Sequence, residues 1–363
     1  MVYVPVYVPV YVPVYVLVYV PVYVPVTRCS SLREIFIING EGNMTRCDKI
    51  ILLVMEAKNT LTSIDFSPSF PNLSNLFFEK IGEKAKLSHL AVGGGNFGAS
   101  GILALACLPE LKTLKVPGIV CGRFGAHSND MAMAEFVDLF SKLKKLELVE
   151  INMDDNFPSD EVVKSLVHNN PNLHHLDITA YPKNIARPYL LHSYIDNLSS
   201  RSLILIADKC PQLTHIGIGH LIHFSGTSIT QLVTNCPKLI YANFEDTNFN
   251  DTALAKMSEN CPDLEYLNIS GCGHITGGAL ERFANPATTA NLKKLLVSQR
   301  YYSPQLLKRL EQNRPNVEIS VIYDDEDSSD EDSSDSMYDS DDIFHGDYSS
   351  DSGEDEDEVE EGL

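Results

Sequence analysis

The chain has 363 residues, no tryptophan, 49 acidic against 28 basic residues and a formal net charge of −21. Residues 324–363 hold 20 of the acidic residues and no Lys or Arg, so the rest of the chain is nearly neutral. That balance argues against direct nucleic-acid binding by the body of the chain and confines the charge imbalance to its last segment.

In chain order, residues 2–26 repeat Val-Tyr-Val-Pro with one lapse at Leu17. The run is uncharged and long enough to span a bilayer. However, Pro5, Pro9, Pro13, Pro21 and Pro25 each remove a helix hydrogen bond that lipid could not replace. An extended or polyproline-like, aggregation-prone segment is expected over residues 1–28, with no membrane insertion. It has neither the basic start nor the small-residue cleavage site of a signal peptide.

A repeat domain is expected over residues 29–323. Anchor leucines recur at Leu32, Leu61, Leu87, Leu111, Leu143, Leu173, Leu213, Leu239, Leu264 and Leu292, then Val317, at intervals of 24 to 40 residues. That spacing suits units of one strand and one helix. In Leu264-x-x-Leu267-x-Ile269, the strand period of two puts Leu267 and Ile269 on one face. The turn residues Ser270, Gly271 and Gly273 follow, and Thr276 caps a helix running into Ala279, Leu280 and Phe283. Leu203, Ile206, Ala207 and Cys210 show helical spacing, as do Ile229, Leu232, Val233 and Cys236. Pro211, Pro237 and Pro262 stop the helices, and Asn170-Pro171 does so without a cysteine.

The run CPDLEYLNISGCGHITGGAL, residues 261–280, closely resembles the cysteine-containing leucine-rich repeats of F-box and leucine-rich-repeat proteins. Cys261, Leu264, Leu267, Ile269, Cys272, Ile275, Thr276 and Leu280 fall on the matching positions, and Leu213 and Leu239 head two partial copies. Cys272 has no counterpart in the other repeats, and Gly277 stands where the family usually has Asp. The resemblance implies an α/β leucine-rich-repeat solenoid, with a curved parallel sheet inside and helices outside. It also implies a substrate-recognition subunit or adaptor of a cullin-RING ubiquitin ligase, although no Leu-Pro-rich F-box helix set is visible before the repeats.

The eight cysteines read as reduced and structural, because Cys210, Cys236 and Cys261 share one core-facing position. Neither Cys272 with His274 nor His220 with His223 has a second pair at zinc-ligand spacing, so no metal is expected. Gly93-x-Gly95-x-x-Gly98 has the strand and helix context of a dinucleotide turn, but no acidic residue follows the next strand to hold a ribose. No catalytic constellation emerges, and neither enzyme activity nor a cofactor is expected.

Partner contacts are expected on the concave sheet face. The position two after each anchor gives His175, His215, Tyr241 and Tyr266, a lane of rings. Two residues further on, Asp177, Gly217, Asn243 and Asn268 form a polar border, while Lys112, Lys144 and Lys145 make one end basic. The interval from Leu173 to Leu213 carries an insertion over about residues 180–200, whose Tyr181, Arg187, Tyr189 and Tyr194 suit an interface. The acidic tail, residues 324–363, is too polar to fold alone. Ser328, Ser329, Ser336 and Ser352 each have Asp or Glu three residues on, as acidophilic kinase sites do.

Two architectural likenesses stand beside the ligase one. Acidic nuclear phosphoproteins that chaperone histones join such repeats to an acidic tail, which would bind histones or other basic proteins. Ran-type GTPase-activating proteins do too, but their catalytic Arg has no place here. A cytoplasmic or nuclear location follows from these readings.

Overall fold

The computed structural model describes residues 15–17, 33–36, 60–66, 75–84, 86–92, 99–116, 128–151, 159–180 and 198–322. The glycine turn at residues 93–98, the loop with Tyr181, Arg187, Tyr189 and Tyr194, and the serines Ser328, Ser329, Ser336 and Ser352 lie outside the described residues.

Strands and helices alternate from the third strand onward. In chain order they are β1 (Tyr15–Leu17), β2 (Glu34–Phe36), β3 (Ser63–Phe66), α1 (Asn75–Gly82), β4 (His89–Val92), α2 (Ala99–Leu105), β5 (Thr113–Lys115) and α3 (Ser128–Lys142). There follow β6 (Leu148–Glu150), α4 (Asp160–Asn169), β7 (His175–Asp177), α5 (Ser200–Lys209), β8 (His215–Gly217), α6 (Gly226–Asn235), β9 (Tyr241–Asn243) and α7 (Asp251–Asn260). The series ends with β10 (Tyr266–Asn268), α8 (Gly277–Phe283), β11 (Lys294–Ser298), α9 (Pro304–Asn313) and β12 (Glu318–Ile322). Among the described residues, 12 strands form one sheet in sequence order, every neighbouring pair parallel. This is a leucine-rich-repeat solenoid, in which each unit packs on its neighbours in sequence. Tyr15–Leu17 of the Val-Tyr-Val-Pro tract joins it, with Tyr15 opposite Glu34.

The core lies between sheet and helices. Leu61, Leu87, Leu111, Leu143, Leu173, Leu213, Leu239, Leu264 and Leu292 are all buried, and so are the helix residues Leu203, Ile206, Ile229, Leu232 and Val233. Each such side chain contributes about 1.5–3 kcal/mol of transfer free energy.

Two strands depart from the spacing expected from sequence. β6 pairs Leu148 with Thr113 and His175, which makes Leu146 the anchor rather than Leu143. The cause is one more turn of chain: Leu143 N–H bonds Leu139 O at 3.0 Å, as Cys210 N–H bonds Ile206 O at 2.9 Å, so Leu143 occupies the helix C-cap. At the other end Lys294 pairs with Glu318, one residue before the position two after Val317.

The C-cap position links the units to one another. Asn170 Nδ2 donates to Leu143 O at 2.9 Å, Cys236 Sγ to Cys210 O at 3.7 Å, and Cys261 Sγ to Cys236 O at 3.7 Å. Arg314, buried, donates through Nη2 to Thr289 O at 2.7 Å. The helix N-termini are tied in a similar way. Asp160 accepts from Ser199 N–H at 2.8 Å, and Asp251 accepts from Thr276 N–H at 2.7 Å and Thr276 Oγ1 at 2.8 Å. Ser199 and Thr276 in turn cap α5 and α8.

Candidate protein-binding face

Because β7 to β10 pair in register, the side chains two residues after the anchors stand side by side on the face away from the helices. The structure brings His175, His215, Tyr241 and Tyr266 together there as a stacked row. Ring centroids are 4.9 Å apart for His175 and His215, 5.8 Å for His215 and Tyr241, and 4.2 Å for Tyr241 and Tyr266. The ring planes are inclined by only 15°, 16° and 8°. His215 and Tyr241 therefore give both faces to their neighbours, and the half-buried row offers solvent its edges. Register continues the row to Leu148 at one end and Lys294 at the other.

One flank of the row is charged. His175 Nε2 lies 2.9 Å from Glu150 Oε1, which also takes Lys115 Nζ at 2.7 Å. Burial works against the Glu150 carboxylate, but the hydrogen bonds from His175 and Lys115 outweigh it and lower its pKa. The His215 pKa is lowered, by burial first and then by the nearby His175 and His174.

The polar border turns out to be folded onto its own backbone. Asn243 Oδ1 accepts from Glu245 N–H at 3.1 Å and Asn268 Oδ1 from Ser270 N–H at 3.0 Å, and both asparagines are buried. Asp177 Oδ1 accepts from Thr179 N–H at 2.9 Å, and burial above all raises its pKa. These are Asx turns that steer the chain out of each strand, so the amides bind protein instead of facing a partner. Gly217 is required beside them, since a Cβ there would lie 2.4 Å from Asp177 Oδ1.

The lysines fall off the lane. Lys144 and Lys145 precede β6, whose lane residue is Leu148, and Lys112 precedes Thr113. Lys112 pairs with Glu147 at 2.7 Å and Lys145 with Glu110 at 2.6 Å. With Lys144 they line a shallow cleft beside Asn170, Pro171 and Asn172.

A second cluster lies where the chain leaves β8 and β9. His220, Asp246 and Gly271, each seven residues after an anchor, adopt positive φ angles of 62°, 49° and 73°. His220 Nδ1 is 3.0 Å from Asp246 Oδ2 and His220 Nε2 is 3.9 Å from Glu245 Oε2. Asn268 Nδ2 donates to Glu245 Oε2 at 3.1 Å. The sequence reading paired His220 with His223 and missed the carboxylates. The equivalence of His220 and Asp246 in successive units was the available signal.

No family model matches the chain, and neither does any curated protein. Solved structures do resemble it. The yeast complex of Rad7 and Elc1 aligns at 16% identity and a TM-score of 0.44, covering 77% of this chain and 81% of that one. An internalin of Listeria monocytogenes, InlF, aligns at 15% identity and 0.47, covering 81% and 68%. A leucine-rich-repeat protein of Leptospira interrogans aligns at 14% identity and 0.44, covering 79% and 60%. The repeat assignment rests on this chain's own anchors, strands and register. Among the described residues no helix is long and apolar enough to cross a membrane.

Proposed function

We propose that the repeat array is a non-catalytic protein-recognition module whose contact face is the helix-free side of β7 to β10. Residues 29–323 are the module, flanked by the Val-Tyr-Val-Pro tract and the acidic tail. The observation that carries this reading is the unbroken row of ring edges from His175 to Tyr266. Tyrosines are frequent energetic anchors at interfaces, where an apolar body and a hydroxyl act together. Since the inner rings stack on one another, the partner is held through phenol hydroxyls, imidazole edges and ring rims. The finer assignment, a substrate-recognition subunit or adaptor of a cullin-RING ligase, is supported by the resemblance of residues 261–280.

Two paired variants test the face. Tyr241→Phe with Tyr266→Phe keeps the stack and removes the hydroxyls. Tyr241→Ala with Tyr266→Ala removes the rings as well, which lowers stability by roughly 0.5–1.5 kcal/mol per lost stacked contact. Partners captured from cells by the wild-type chain and identified by mass spectrometry should bind the alanine pair about tenfold or more weakly, and the phenylalanine pair at an intermediate level. Wild-type affinity in a folded alanine pair places the interface elsewhere. A capture that lacks the ligase adaptor removes the ligase assignment alone.

A second reading is favoured by the 20 acidic residues and absence of Lys and Arg in residues 324–363: an electrostatic arm for histones or other basic proteins.

A further inference from the structure

We infer that His220, Glu245 and Asp246 form a binding site for a first-row divalent cation of the zinc type. One imidazole nitrogen and two carboxylate oxygens lie within 4.8 Å of one another. Zinc-like ions take His nitrogen and carboxylate oxygen at ~2.0–2.2 Å, and three protein ligands leave a position open. Calcium and magnesium favour all-oxygen shells, so the imidazole selects against them.

The donors come from adjacent repeats whose relative placement is fixed. His220 N–H bonds Glu245 O at 2.6 Å, and Asp246 N–H bonds Ser270 O at 2.8 Å. The side chain of Asn268 holds Glu245 from outside the cluster at 3.1 Å, the kind of bond that orients a ligating carboxylate. Space for the Asp246 carboxylate is kept by Gly271, where a Cβ would come within 1.6 Å of Asp246 Oδ1. The group is confined to these two repeats for the same reason, because the next one supplies no side chain at that position. Without an ion, a proton shared by His220 and Asp246 satisfies the pair. Binding exchanges that proton for the metal.

The test uses the full chain after chelator treatment and dialysis. Zn²⁺ is titrated by calorimetry, and Co²⁺ is followed by its visible absorption. One saturable equivalent is expected to depend on His220 and Asp246 and not to be displaced by Ca²⁺. His220→Asn and Asp246→Asn keep a residue that tolerates positive φ, so both variants should fold. Each should weaken Zn²⁺ and Co²⁺ binding by about tenfold or more, while the exposed His274→Asn leaves it unchanged. Glu245→Gln, at a residue without positive φ, is a third ligand variant with the same expected loss. An isotherm unaffected by these substitutions, as the acidic tail or exposed Cys107 would give, overturns the site. So does the absence of saturable binding, or equal displacement by Ca²⁺.

Discussion

At His220 and Asp246 the backbone holds φ angles of 62° and 49°, a region that side chains other than glycine, Asn, Asp and His seldom occupy. The bonds between the two side chains oppose that strain. Burial disfavours the His220 imidazolium, but the hydrogen bond to Asp246 and the charges of Glu245 and Asp246 outweigh it and raise the pKa. A group whose pKa rises on folding stabilises the fold while protonated. The contribution is fully present below the unfolded value of ~6.5 and is lost as pH rises through the folded value. In chelator, wild type should therefore exceed His220→Asn in urea midpoint near pH 6, and the gap should narrow by pH 9. A gap of the same size at both pH values would show that the charge is irrelevant. The thiols behave oppositely: burial pushes Cys210, Cys236 and Cys261 up to about 12, which keeps them neutral and unreactive. Their burial was readable from Cys-Pro after a helical face. The inward fold of Asn243 and Asn268 was not, because an alternating strand pattern says which face a residue joins and nothing of whether its amide turns back to the main chain.

Between elements, the ties at the helix N-termini do more than complete each helix. Asp251 opens α7 and simultaneously holds the N-cap of α8 through Thr276, so its carboxylate serves two units. Asp251→Ala should destabilise the fold by about 1 kcal/mol, the typical loss for an N-terminal capping interaction. Urea unfolding should show this as a lower midpoint at unchanged slope. An unchanged midpoint would mean that water replaces the carboxylate without loss. The succession of elements was legible in the anchor leucines, since strand and helix periods impose different spacings. The β6 register was not, because Leu143 and Leu146 are both leucines three residues apart. Leu143-x-x-Leu146-x-Leu148 satisfies the anchor pattern, yet α3 runs to Lys142 and takes Leu143 as its cap. The cluster of His220 with Glu245 and Asp246 was hidden similarly, since it forms only once two repeats stand side by side.

For the whole molecule, charge is divided by sequence position: a near-neutral body and 20 acidic residues in residues 324–363. If those residues recruit basic proteins, histone binding should be lost when residues 324–363 are deleted. In the full chain it should weaken steeply as salt rises, because screening acts over ~8 Å at physiological ionic strength. Phosphates on Ser328, Ser329, Ser336 and Ser352 would each add about −1.5 to −2 and strengthen that binding. Equal binding by the full and shortened chains at low salt would assign basic partners to the body instead.

The C-cap thiols point one way: Cys261 donates to the carbonyl of Cys236, and Cys236 to that of Cys210. Cys236 is thus at once a plug for the unit before it and a socket for the unit after it. A segment cut from residue 211 to residue 236 begins and ends on matching connectors. Removing it would set the Cys261 thiol against the Cys210 carbonyl, and inserting a second copy would merely repeat the joint. This part of the array is thus built to lengthen or shorten by whole units, a change that gene duplication can supply in a single event.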